Sequence, residues 1–86
     1  MALLSVFAVR DSATDSFGLP IFQSSARSAI RLFSDEVNRP DSLMGLHPED
    51  FELFLIGTFD QDKGILTPLS PEQCCTGKAA VRPREV

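Results

Sequence analysis

The chain predicts an α+β fold, a small antiparallel sheet of about four strands in the order β-β-α-β-β with one helix packed on a face. Three observations carry this. Residues 51–59, FELFLIGTF, read as a strand with apolar residues on both faces. Residues 28–38, SAIRLFSDEVN, read as a helix with a single apolar stripe. A length of 86 residues leaves room for one domain and one covering helix. A strand apolar on both sides needs two covers, so the second is expected from another molecule. A homodimer is the preferred solution, with sheets joined face to face or edge to edge. Phe54 and Ile56, which point away from Leu53 and Leu55, are its expected interface.

Leu3–Arg10 is the expected first strand, with Leu4, Val6 and Ala8 on one face and Ser5, Phe7 and Val9 on the other. Asp11–Gly18 is a loop by composition. Leu19–Gln23 reads as a short second strand, and Pro20, which lacks an amide hydrogen, suits an edge or a strand start. Ser24 or Ser25 caps the helix. Ala26, Ala29, Ile30, Phe33 and Val37 then recur at helical spacing, and Arg31 and Asp35 stand one turn apart as a weak ion pair. Pro40 biases Arg39 away from helical dihedrals, so the helix ends near Asn38.

Asp41–Asp50 is a connection with a turn of helix at its end, and His47-Pro48 reads as a turn and cap. On a regular strand, Phe51, Leu53, Leu55, Gly57 and Phe59 share one face. Asp60–Gly64 is a hairpin turn whose Gly can take positive φ. Ile65–Leu69 returns as a fourth strand, at an edge because of Pro68. The pattern stops after Ser70. Ser70-Pro71-Glu72 suits the start of a short helix, and residues 71–86 read as a partly mobile tail, basic from Lys78, beyond a domain of residues 1–70.

The formal charge is −4 and unevenly placed. Eight acids against Arg39 and Lys63 fall in residues 35–63, while the segments on either side each carry a net +1. Non-specific coating of nucleic acid draws on clustered Lys and Arg, so this balance leaves only a local basic patch for such a role. The apolar start, residues 1–9, is too short to span a bilayer, and no other run approaches that length, so no membrane partner is expected. Cys74 and Cys75 are adjacent, which strains a mutual disulfide, so two free thiols in a reducing compartment are expected.

Enzymatic constellations are wanting. His47 is the single histidine and has no nearby cysteine or nucleophile to work with. Asp60-x-Asp62-x-Gly64 starts like a calcium loop, but its twelfth position falls on Pro71, where a bidentate Glu is required. The serines lack a nucleophile elbow, and the glycines are too scattered to cradle a phosphate. No catalysis, metal or cofactor is expected. Arg27 and Arg31 lie on one side of the helix, Arg10 ends strand one, and Phe17 stands in a polar loop with no evident core role. Phe17 is either a lid on the sheet or a contact residue. Aromatic rings beside arginines stack single-stranded bases.

The pattern Ala29-Ile30-Arg31, Phe33-Ser34-Asp35 and Val37-Asn38, followed by His47-Pro48-x-Asp50-Phe51-x-Leu53-Phe54, Gly57-x-Phe59-Asp60 and Gly64, resembles the small non-structural protein of gokushovirus-type microviruses, tailless phages with circular single-stranded DNA. The resemblance covers residues 1–69, and the tail with Cys74-Cys75 lies outside it. It implies an accessory protein of the bacterial host cytoplasm, absent from the virion, acting where genome synthesis passes from duplex replication to single-strand production and packaging. Single-stranded DNA is then the first candidate partner, with Arg10, Arg27, Arg31 and Phe17 as contacts. The rival expectation is an adaptor whose acidic Glu49, Asp50, Glu52, Asp60 and Asp62 dock a viral replication or capsid-assembly protein without touching DNA.

Overall fold

The structure, a computed structural model, describes residues 2–83. Its sheet is antiparallel throughout. β1 (Leu3–Asp11) is central and pairs with β4 (Phe51–Asp60) on one side. On its other side lie two short strands in line, β2 (Ser16–Phe17) and β3 (Ile21–Gln23). β5 (Ile65–Thr76) pairs with β4 and forms the far edge, as Pro68 requires. The expected antiparallel sheet is therefore present, with Phe17 in a strand pair rather than in a loop.

Helix α1 (Ala26–Val37) covers one face. The Ser25 hydroxyl caps it by accepting from the Ser28 amide at 3.1 Å, and Asn38 closes it. Its apolar stripe, Ala29, Phe33 and Val37, is buried against Phe7, Phe51 and Leu53, with Val9, Ile21 and Leu55 around them. Phe7 and Leu53 are fully enclosed. Two short helical turns follow, α2 (Leu43–Leu46) and a 3-10 turn at Pro48–Asp50. His47 links them as the expected turn, its amide donating to Leu43 O at 3.0 Å.

Two departures from the sequence reading matter. First, β5 does not end at Leu69. It runs on to Thr76, and α3 (Gly77–Ala80), capped by the Thr76 hydroxyl, docks against α1. Ser70-Pro71-Glu72 is strand, not the start of a helix. The docking is polar and specific. Asn38 Nδ2 donates to Ala80 O at 2.9 Å, and Asn38 Oδ1 accepts from the Arg82 amide at 2.8 Å. Arg82 takes the carboxylate of Asp35 at 2.8 Å, in place of the expected partner Arg31. Residues 78–83 are thus tied to the helix; Arg84–Val86 lie outside the described residues.

Second, the alternation of β4 breaks at Ile56. Val6 pairs with Gly57 and Phe7 with Leu55, so Ile56 is an extra residue, a bulge. Phe51, Leu53 and Leu55 face the helix as expected. Gly57 and Phe59 are carried to the opposite face. A side chain could not replace Gly57 freely, because a Cβ there would lie 2.7 Å from the backbone oxygen of Thr67 on β5. A second bulge at Cys74, between the pairs Leu53–Cys75 and Phe54–Gln73, turns both adjacent cysteines toward the core.

Both hairpins close with the same device. Asp11 accepts from the amide of Ala13, and Asp60 accepts from those of Asp62 and Lys63. Each turn ends on a residue at positive φ, Asp15 at 55° and Gly64 at 69°. The acidic pair Asp60 and Asp62 is accordingly a turn, with the Asp62 carboxylate also accepting from the Ala2 amide at 3.1 Å.

Candidate site: the open aromatic face of the sheet

Among the described residues, no helix covers the sheet face away from α1, and Val6 and Ala8 on it are buried only beneath its own side chains. Its residues follow from strand pairing, since directly paired residues share a face. Leu4, Phe59 and Leu66 make one row across the strands. Phe22, Val6, Gly57 and Pro68 make the next. Ala8, Phe54 and Gln73 follow, then Phe17, Arg10 and Glu52. Four phenylalanines therefore stand on this face. They form two edge-to-face pairs, Phe17 with Phe54 at 5.4 Å between ring centres and Phe22 with Phe59 at 5.6 Å.

The two halves of the face differ chemically. At the Arg10 end of β1, Phe17 is 44% exposed and stands beside a polar row. Arg10 is held between the carboxylates of Asp15 and Glu52, the latter at 3.8 Å, and Gln73 donates to Glu52 at 2.9 Å. At the far end a groove of about 330 Å³ is lined by Val6, Pro20, Phe22, Ile56, Leu66 and Pro68, together with Gly57 and Thr67. Among the described residues, no charged side chain lines it.

The sequence-predicted residues fall into separate places. Arg10 and Phe17 are register partners on the open face. Arg27 and Arg31 are exposed on α1, on the other side of the sheet. Phe54 and Ile56 both reach the open face, Phe54 beside Phe17 and Ile56 in the groove. The sequence reading missed Phe22 and Phe59 as members of this face. Gly57 inside a strand was the available signal, because an interior glycine often marks a bulge.

The predicted acidic face is likewise divided. Glu49, Asp50 and Glu52 sit at the start of β4, while Asp60 and Asp62 sit at its far tip, about 27 Å away along the strand. Ligand atoms of His47, Glu49 and Asp50 lie within 4.8 Å of one another around the 3-10 turn. Cys74 and Cys75 are free thiols, and burial pushes both up from the ordinary thiol value, Cys74 further opposed by Glu72. A raised thiol offers less of the reactive thiolate at a given pH.

Fold and face together define a small α+β protein, a thin antiparallel sheet covered once by a helix and open on an aromatic side. The chain belongs to the Phage ORF5 protein family, whose profile matches residues 4–80. It is 42% identical over 67 residues to Protein ORF5 of Chlamydia phage 1, an alignment covering 73% of this chain and 70% of that protein. No solved structure matches it significantly. The resemblance to a small microvirus protein, read from the His47–Asp60 motif and the helix before it, is borne out. Among the described residues, no helix is long and apolar enough to cross a membrane.

Proposed function

We propose that this phage protein binds single-stranded DNA, without catalysis, on the Phe17–Phe54 end of its open sheet face. The stage of action is the one the family resemblance implies, the passage from duplex replication to single-strand production and packaging in the host cytoplasm, outside the virion. One observation carries the reading: an edge-to-face aromatic pair on a sheet, its Phe17 ring exposed and its Phe54 ring half-buried, with a guanidinium in register beside Phe17. A base stacked on such a ring gains about 1–3 kcal/mol and needs no particular sequence. The phosphate contribution is small, because Arg10 is shared with Asp15 and Glu52.

The test is fluorescence anisotropy of labelled single-stranded and duplex oligonucleotides at two salt concentrations. Preference for the single strand is expected, with a shallow salt slope of about −0.7 per neutralised phosphate. Phe17→Ala should weaken binding about fivefold to a hundredfold. Equal binding to duplex, or binding indifferent to Phe17, defeats the reading.

A second reading, the acidic adaptor, is favoured by one observation. Asp11, Asp15, Glu49, Asp50 and Glu52 gather at one end of the sheet, where β1 finishes beside the start of β4. That end suits a basic patch on a viral replication or capsid-assembly protein. Calorimetry with purified viral initiator and capsid protein decides it: salt-sensitive binding lost in Glu49→Gln/Asp50→Asn supports the adaptor, and absence of heat with both removes it.

A further inference from the structure

We propose that a second copy of this chain covers the far half of the open face, in a twofold pairing where Leu19 of each copy enters the groove of the other. Leu19 is 89% exposed and adjoins Pro20, which forms the groove wall. The same patch thus carries a protruding apolar side chain and an apolar hollow, the self-complementarity a twofold contact demands.

The chemistry of the groove selects the occupant. Without a cation it offers nothing to a phosphate backbone. A charged side chain placed there would lose its water without gaining a partner. A charge-free apolar patch is required, and this chain presents one at Leu19.

Area points the same way. The chain exposes 5892 Å². A compact monomer of 9.4 kDa is expected to expose about 5,000 Å², so roughly 900 Å² is in excess. A standard interface removes about 800 Å² from each partner.

Edge pairing is the competing arrangement, and the prolines oppose it. Pro20 separates β2 from β3 on one edge, and Pro68 and Pro71 lie in β5 on the other. Face packing remains. It leaves Phe17 and Arg10 outside the contact, because Arg10 lies about 13 Å along β1 from the groove residue Val6, while Phe54, in the Ala8 row between them, borders it. The pairing therefore stands or falls separately from DNA binding.

Sedimentation velocity of the full chain across micromolar concentrations tests this. The expected result is a monomer–dimer equilibrium. Leu19→Asp and Leu66→Asp should each raise its dissociation constant at least about a hundredfold, since the twofold repeats every loss. Leu43→Asp, exposed on α2 at the helical side, should leave it unchanged. Circular dichroism checks each fold, and if one groove variant loses its sheet signal the other carries the test. A monomer throughout, an assembly larger than a dimer, a dimer surviving in a folded groove variant, or one lost in Leu43→Asp overturns the proposal.

Discussion

Replacing Gly57 by Ala tests how β4 and β5 are pressed together at the bulge. The added methyl would meet Thr67 O at 2.7 Å, with Thr67 C and Pro68 Cα at 3.6 Å. The obstacle is backbone held in a ladder, so it cannot rotate aside as a side chain would. Overpacking of this kind costs about 1–3 kcal/mol. The variant regains about 0.4–1 kcal/mol through its stiffer unfolded chain. The net expectation is a loss of about 1–2 kcal/mol, which lowers Tm by about 4–16 °C in a domain of this size. Urea denaturation and calorimetry measure it. Gly64 supplies the contrast, since it has open space around it but a φ of +69°. Gly64→Asn should be nearly neutral, because Asn tolerates that conformation, while Gly57→Asn should be worse than Gly57→Ala. A Gly57→Ala protein as stable as the parent would refute the close approach of β5, and with it the bulge that carries Phe59 to the open face.

Further expectations follow from other parts of the structure. Asn38→Ala removes the hydrogen bonds to Ala80 and Arg82 and one to Ser34 O. It should cost about 1–3 kcal/mol and speed limited proteolysis within residues 78–83, whereas unchanged proteolysis would show that these bonds do not hold the segment. The raised thiols of Cys74 and Cys75 set a pH dependence. Their folded state holds protons more tightly than the unfolded state. That contribution is intact below the ordinary value of 9.0 and is lost as pH rises through the raised folded value. Alkylation near neutral pH should accordingly be slower in folded than in urea-unfolded protein, and stability should decline in alkaline buffer. Equal alkylation rates would contradict the burial.

The local elements were legible because their signals are local. A cap at Ser24 or Ser25, the helical spacing of Ala29, Phe33 and Val37, and the break before Pro40 specify α1 within a short window, and the structure selects Ser25. The turn at Asp60–Gly64 and the edge position of β5 follow from single residues with restricted or permissive backbones. What escaped depends on partners distant in sequence. The length of β5 is set by pairing with β4, which resumes beyond Pro71 at Glu72, Gln73, Cys75 and Thr76. Asp35 was expected to pair with Arg31 one turn away, but Arg82 reaches it from the far end of the chain.

The candidate site shows the same division. Phe17 stood out in the sequence because a polar loop gave it no core to join. Its neighbour Phe54 was seen to face away from the helix. The rest of the face was hidden by one residue. Strict alternation puts Phe59 with Leu53, and the bulge at Ile56 reverses it. Arg27 and Arg31 looked equivalent to Arg10 in a list of cations, but the helix carries them to the other layer.

Mapping by NMR tests most directly whether the open sheet face, rather than the helix, is the working surface. Amide shifts of the isotopically labelled protein would be followed during titration with a short oligothymidylate. The predicted result is a cluster of perturbations at Arg10, Phe17 and Phe54 with α1 silent. Perturbations centred on Arg27 and Arg31, or none at any ratio of oligonucleotide, would contradict it.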